Sequence, residues 1–435
     1  MVFMPKKPFP IVEVTLKTII GGGQAIGTLD TGKKCMVWGG LPGERVSVQI
    51  TKKKSNFVEG VVVDVLEPSE ERCDAKDPDS YLSTSPWQIM RFEAESHYKS
   101  ALIEEAFELH DVVLPQPITV WSDGVEYGYR NKIEYSFWYD ETADKLGFAF
   151  FRRGTHGKIP VRGTSLATPA LEAAALEVVD ALNAVHADGR HLKTLLVRSN
   201  MAGDVAWQLY AKDTSFPTDA FVTALGDGAD RGEVIYSNPK SPASVITERI
   251  YAGSDIVLED TILDVPFRYA TEGFFQINLP VYEQALRDMR EWVEDGKPVV
   301  DLYSGVGTIG LTIGGDDVTL VEINEHAVRE MQQNIASLGK TGAKAILAAS
   351  ENALDHITGD ATIIVDPPRA GLHADVIAKL LETAPKRIIY LSCNPVTQAR
   401  DVALLAEKYG IRHHQGYNFF PRTPHIEHLV ILDAK

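Results

Sequence analysis

Leu391-Ser392-Cys393-Asn394-Pro395 sets a thiol directly after an apolar run, Arg387-Ile388-Ile389-Tyr390, that reads as a short buried strand. Asn394-Pro395 ends that strand, because proline has no N–H and restricts the residue before it. Taken alone, such a cysteine reads as a small buried hydrophobe. Two carboxylates nearby in kind bear on that reading. Ile363-Ile364-Val365 runs into Asp366-Pro367-Pro368-Arg369-Ala370-Gly371, where two prolines stiffen a loop behind an acid. A strand-terminating turn with a capping aspartate is the plain alternative. Phe420-Pro421-Arg422-Thr423-Pro424-His425-Ile426-Glu427-His428 precedes a last strand at Leu429–Leu432, and Glu427 taken alone reads as a surface charge.

The elements that position these groups alternate strand and helix from about residue 271, which implies a parallel, doubly wound sheet. Val299-Val300-Asp301-Leu302-Tyr303 is a buried strand that runs into Ser304-Gly305-Val306-Gly307-Thr308, a glycine turn opening a helix. Val318-Thr319-Leu320-Val321 then ends in Glu322, an acid placed to meet a ribose diol. This pattern fits a dinucleotide or S-adenosylmethionine (SAM). The missing third glycine and the acid before the turn, Asp301, favour SAM. In open α/β sheets ligands bind at the C-terminal strand ends, so the loops of Asp366 and Cys393 should be neighbours above the sheet.

Bulk properties exclude several classes. The 435 residues allow two or three domains, and 44% hydrophobic with 24% charged residues is an ordinary globular composition. No apolar run approaches the ~18 residues of a bilayer span, and Met1–Lys7 lacks a secretory pattern. Three cysteines argue for a reducing compartment and cannot by themselves ligate a four-cysteine metal centre. A cytoplasmic protein is expected. The net charge of −17 argues against a generic nucleic-acid coat, although residues 1–66 carry nine Lys/Arg against five Asp/Glu.

Within residues 11–66, short β-like runs alternate with glycine turns, about five strands that suggest a small OB-like barrel. Gly21-Gly22-Gly23 followed by Leu41-Pro42-Gly43-Glu44 resembles a TRAM domain, an RNA-binding barrel, and Lys52-Lys53-Lys54 lies in its last hairpin. Residues 67–92 are proline-rich and acidic, a linker by composition. Helices are expected at Glu93–His110 and Pro169–His186. Strands are expected at Tyr129–Phe137 and Leu146–Gly154 and near Leu195 and Trp207. Alternation puts Arg130 and Lys132 on one face beside Glu134, either a salt-bridged sheet surface or an RNA-facing stripe. Three domains follow: residues 1–66 a barrel, 67–270 a mixed α/β RNA-binding region whose helix near 93–110 packs on the catalytic part, and 271–435 a Rossmann-like methyltransferase.

A methyl-donor site, a cysteine and a carboxylate suit methylation at C5 of a pyrimidine. Thiolate addition at C6 turns the base into an enolate that can take a methyl group, and a base must then remove the C5 proton. The segments Tyr129–Lys132, Phe274–Asn278, Asp301–Thr308, Asp366–Gly371, Ser392–Pro395 and His425–Glu427 resemble the RNA uracil-C5 methyltransferase family over most of the chain. That resemblance implies Cys393 as nucleophile and Glu427 as the base. It also implies Gln276, Tyr303, Thr308, Glu322 and Asp366 against SAM or the target base, with the glycine turn at Gly305 in the cofactor site. Many members carry a four-cysteine iron–sulfur cluster; here Cys73 stands alone, Leu82–Gln88 replaces the expected CGGC stretch, and no cluster is expected. An N-terminal TRAM domain tilts the expected substrate toward 23S ribosomal RNA, with the T-loop uridine of tRNA as the alternative, and a monomer without an obligate partner is expected. RNA cytosine-C5 methylation would want a second cysteine where Asp366–Arg369 stands. Exocyclic N-methylation would want an aromatic residue at Arg369, and an inactive RNA-binding scaffold would have no use for the intact set.

Overall fold

Glycine-punctuated alternation at the start of the chain closes into a barrel. In the computed structural model, which describes residues 9–155 and 157–435, β1 (Ile11–Ile19), β2 (Ala25–Thr28), β3 (Lys34–Trp38), β4 (Arg45–Lys53) and β5 (Phe57–Glu67) pair in the order β1-β2-β3-β5-β4. The Met1–Lys7 segment weighed above for targeting lies outside the described residues. Period-two alternation turns Val14, Leu16, Val37, Val46 and Val48 inward. Lys52 of the last hairpin pairs with Glu59 at 2.8 Å, so the lysine run is partly neutralised within the barrel. Gly23, at φ 90°, sits hard against Pro424, where a Cβ would come 2.2 Å from the proline ring. The Trp87 indole also donates to the Gly23 carbonyl at 3.1 Å. The barrel thus rests on the far end of the chain.

Residues 67–92 are not a loose linker. They include a one-turn helix, α1 (Tyr81–Thr84), and bury Trp87, Ile89 and Met90 in the core of the C-terminal sheet. Composition misleads here because three apolar anchors lie among acidic and proline-rich neighbours. Helix α2 (Phe92–Glu108) packs on the same core through Leu102, Ile103, Ala106 and Phe107, and β6 (Val120–Trp121) adds an edge strand to that sheet.

The central region is a seven-stranded sheet in the order β13-β12-β11-β10-β7-β8-β9. Its strands are β7 (Lys132–Asp140), β8 (Lys145–Phe151), β9 (Lys158–Val161), β10 (Leu192–Ser199), β11 (Val205–Ala211), β12 (Gly232–Tyr236) and β13 (Glu248–Ala252). Helices α3 (Pro169–Ala184) and α4 (Thr218–Leu225) cover one face. Thr168 caps α3 by accepting from the Leu171 N–H, and Pro169 occupies the first turn, where its missing N–H costs nothing.

Hairpin β14 (Val257–Ile262) and β15 (Val265–Ala270) shares its core with helix α5 (Leu279–Arg290) and the C-terminal sheet. That sheet comprises β16 (Val299–Leu302), β17 (Val318–Glu322), β18 (Lys344–Leu347), β19 (Thr362–Val365), β20 (Arg387–Ser392), β21 (Tyr409–Tyr417) and β22 (Glu427–Ala434). Helices α6 (Thr308–Ile313), α7 (Glu325–Ser337), α8 (Ala374–Thr383) and α9 (Pro395–Leu405) connect them. The order is β18-β17-β16-β19-β20-β22-β21-β6, with β16 to β20 parallel and β22 antiparallel to both β20 and β21. Among the described residues no helix is long and apolar enough to cross a membrane.

The loop from β21 to β22, residues 418–426, is latched onto α2 by buried ions. Glu95 and Lys99, both 0% exposed, pair at 2.8 Å. Glu95 accepts from the Arg422 N–H (3.0 Å) and from Asn418 Nδ2 (3.0 Å). Lys99 donates to Asn418 Oδ1 (2.5 Å) and to the Phe420 carbonyl (3.2 Å). Removing one partner leaves the other charge buried and unpaired, so Lys99→Met should cost about 3–5 kcal/mol, read as a lowered urea midpoint. Glu95→Gln in the Lys99→Met background should recover part of the loss.

Candidate active site

Three neighbouring strands deliver the three groups singled out above. Asp366 directly follows β19 and Cys393 directly follows β20, which run parallel. Ser392 pairs with His428 across the antiparallel β20–β22 ladder. One step along that register brings Cys393 opposite Glu427. Glu427 is therefore the first residue of the last strand rather than part of the loop before it.

The two loops at this edge are tied together. Asn394 caps α9 by accepting from the Val396 N–H, and its Nδ2 donates to the Arg369 carbonyl at 2.8 Å. Thr397 Oγ1 donates to the same carbonyl at 3.2 Å. Asp401, buried on α9, accepts from the Leu372 N–H and the Tyr390 hydroxyl, each at 2.8 Å. Gly371, at φ 80°, admits the approach, since a Cβ there would come 2.5 Å from Asp401.

A cavity of roughly 1310 Å³ opens above the sheet, lined by Gln276, Tyr303, Gly305, Glu322, Asp366, Cys393 and Glu427. Seven of the eight site residues expected from sequence thus share one space. Thr308 is not in the lining; its hydroxyl bonds the Tyr282 hydroxyl at 2.8 Å. The cavity also takes in Phe274, Arg369 and His425, together with Ser350 and Glu351. Phe274, 70% exposed, was legible in the Phe-Phe-Gln run as an aromatic beside Gln276; Ser350 and Glu351 carry no motif that would have singled them out.

Burial governs the electrostatics. Desolvation pushes the Asp366 carboxyl up to about 7 and raises Glu427 well above the usual range, with Asp366 beside it raising it further. Desolvation also pushes the Cys393 thiol up to about 12; Glu427 and Asp366 add to this, and the Arg369 cation opposes it. In the free protein burial therefore favours the thiol form of Cys393. Desolvation likewise pushes Asp301 up to about 8; its Oδ2 accepts from the Gly310 N–H at 2.9 Å.

The residues present fit SAM. Tyr303 (φ 66°), Gly305 (φ 56°) and Gly307 (φ 90°) turn the backbone sharply between β16 and α6. Glu322 ends β17 with one carboxylate oxygen on the Gly305 N–H (3.0 Å) and the other on the Asn324 N–H (2.7 Å). A carboxylate so held retains lone pairs for a ribose diol. An iron–sulfur cluster does not fit. Cys35 is buried in the barrel, Cys393 lies in the cavity, and the Cys73 thiol donates to the Gln88 carbonyl at 3.4 Å. Around Cys73 a hydrogen-bonded knot joins the segments instead: Asp77 accepts from the Ser165 and Thr164 hydroxyls and from Gln88 Nε2. Among the described residues no three His, Cys, Asp or Glu side chains converge to hold a metal.

Comparison with known proteins agrees with this architecture. The family model described as tRNA (Uracil-5-)-methyltransferase matches residues 93–435, and the TRAM domain model matches residues 5–63. An uncharacterized RNA methyltransferase of Enterococcus faecalis is 28% identical over 455 residues, covering 98% of each chain. One from Thermotoga maritima is 27% identical over 442 residues, covering 97% of this chain and 98% of the other. Among solved structures, the Pyrococcus abyssi tRNA (uracil-54, C5)-methyltransferase in complex with S-adenosyl-L-homocysteine superposes with a TM-score of 0.78 at 22% identity, over 97% of this chain and 100% of that one. That likeness shows the fold. With the family model running from α2 to the last residue, the chain belongs to the tRNA (uracil-5-)-methyltransferase family.

Proposed function

We propose that this protein methylates C5 of a uridine in RNA, with SAM as methyl donor, through a covalent adduct between Cys393 and C6 of the base. The observation that carries the reading is the convergence of Cys393, Glu427 and Asp366 from three adjacent strand ends on one cavity with Gln276, Tyr303, Gly305 and Glu322. Glu322 and the turn at Gly305 would hold the nucleoside of SAM, which supplies an electrophilic methyl group when bound. The target base must leave its stack to reach the cavity.

Cys393 first gives up its thiol proton to solvent; its thiolate then forms a bond to C6, and the pair of the C5=C6 double bond moves into an enolate. The enolate pair at C5 then forms the bond to the methyl group, whose former bonding pair would stay on the sulfur of the donor. Glu427 takes the C5 proton, the C–H electrons restore the double bond, and the thiolate leaves. A buried carboxylate with a raised pKa is a stronger base than one in water, which suits the removal of a carbon-bound proton. Asp366, next to Glu427, would face SAM or the base. Cytosine remains the lesser reading, since the Asp366 loop carries no second cysteine.

For the RNA, the proposal keeps 23S ribosomal RNA, expected from the N-terminal barrel. The T-loop uridine of tRNA is the second reading, supported by the tRNA named in the family description and in the Pyrococcus abyssi structure. Mapping 5-methyluridine in total RNA from cells lacking the gene decides between them.

RNA substituted with 5-fluorouridine should trap a stable protein–RNA adduct in the presence of SAM, because fluorine cannot leave as a proton. The adduct should vanish in Cys393→Ala, and no adduct with any RNA would sink the mechanism. Glu427→Gln should accumulate covalent adduct with ordinary RNA, visible on a denaturing gel, and unchanged turnover would remove Glu427 from the reaction. In the free protein, iodoacetamide should label Cys393 slowly near neutral pH and faster as pH rises between about 7 and 10, since the thiolate is the reactive form. Glu427→Gln removes the carboxylate whose charge raises the thiol pKa, so labelling of the Cys393 peptide by mass spectrometry should then be faster at the alkaline end of this range, where Glu427 is charged, and little changed where it is protonated.

A further inference from the structure

A buried and a half-buried cation of the central sheet take no part in the chemistry above. Arg198, on β10, is 0% exposed, and Lys132, the first residue of β7, is its direct cross-strand partner. Like charges placed opposite one another on neighbouring strands repel. Among the described residues, neither has a carboxylate within ion-pair distance. Burying such a pair is costly unless other groups compensate it. Lys132 is thus not part of a salt-bridged sheet surface, one of the two alternatives its strand pattern offered.

The compensation comes from one stretch of backbone. Arg198 donates to the carbonyls of Ala270 (3.2 Å), Thr271 (3.3 Å), Gly273 (2.8 Å) and Phe275 (3.0 Å). Lys132 Nζ donates to the carbonyls of Glu272 (2.9 Å) and Gly273 (3.2 Å). Asn131, one residue earlier, donates from Nδ2 to the Gln276 carbonyl at 3.1 Å. Of the carbonyls from 270 to 276, only that of Phe274 lies outside this set. The Arg198 guanidinium also lies 5.0 Å from the centre of the Tyr269 ring, which stacks on Phe275 at 3.9 Å. The same stretch forms a wall of the reaction cavity, where Phe274 and Gln276 are exposed to its contents.

We infer that Arg198 and Lys132 are positioning residues for the reaction: by gripping the carbonyls of 270–276 they hold Phe274 and Gln276 in the cavity wall. Neutral or apolar packing could join the two sheets at lower cost. A row of charged donors adds a backbone fixed at several successive peptide units, which is what a wall against a reacting base needs. Misplacement of such groups by about 1 Å can cost 10²-fold in rate. This inference rests on the uracil-C5 reading.

The test uses the full chain and RNA purified from cells lacking the gene, with 5-methyluridine measured by mass spectrometry under single-turnover conditions. Lys132→Met should slow the reaction about ten- to a hundredfold while keeping a cooperative melting transition. Lys132→Arg, which retains donors, should restore most of the rate. Gln276→Ala should cost less in the Lys132→Met background than in the wild type, because the first change already displaces Gln276; Arg198→Met should show the same coupling if it folds. Unchanged rate in Lys132→Met, losses that simply multiply in the double variant, or absence of any melting transition in Lys132→Met would each overturn the inference alone, provided the wild type makes product. Absence of 5-methyluridine with the wild type would overturn the uracil reading together with it.

Discussion

Desolvation at one edge of a sheet is the constraint on which the site depends. Parallel strands β19 and β20 end at the same level, and antiparallel β22 begins there, so three acidic groups arrive together in one cavity, Glu427 buried and Asp366 and Cys393 half-buried. In that medium Asp366, Glu427 and the Cys393 thiol resist ionisation, Asp366 makes ionisation of Glu427 harder, and both carboxylates make ionisation of the thiol harder. A thiol held in this way is protected until a ligand alters its surroundings. A carboxylate held in this way is a strong base once it is charged. The same burial serves opposite needs of the two groups, and Arg369 is the cation in the wall that moderates both.

A site of this kind needs stiff walls, and this chain makes its walls stiff with inward-held cations. Lys99, paired with Glu95, fixes the loop that leads into Glu427. Arg198 and Lys132 fix the stretch that carries Phe274 and Gln276. Both devices reach across the chain, from α2 to residue 420 and from the central sheet to residue 275. They explain why an acidic protein keeps basic residues deep inside, where they cannot serve as an RNA-binding surface. The barrel joins the same construction, since Gly23 abuts Pro424 in the loop before Glu427.

Much of this was legible in order along the chain. The strand–turn–helix–strand–acid pattern from Val299 to Glu322, the Asp-Pro-Pro-Arg loop and the Ser-Cys-Asn-Pro turn each announce themselves through local signals: apolar runs, glycine, proline and a terminal acid. The five strands of the barrel were legible for the same reason. Residues 67–92 were not, because Trp87, Ile89 and Met90 bury against partners far away in sequence while their neighbours look like linker. Lys132 was not, because strand alternation places a side chain on a face without saying what lies against that face. Thr308 opens the expected helix, yet its hydroxyl turns to Tyr282, a residue of another helix.

The sequence by itself determined which chemistry is possible: a thiol, two carboxylates and a nucleoside-type turn, each at the end of a recognisable strand. Local backbone preference and hydrophobic periodicity act over a few residues, so they are readable there. Only the tertiary structure decided that Cys393 faces Glu427, that the acids are desolvated, and that cations from distant elements grip the walls. Strand order, register and burial arise from contacts between segments tens to hundreds of residues apart, and no local pattern encodes them.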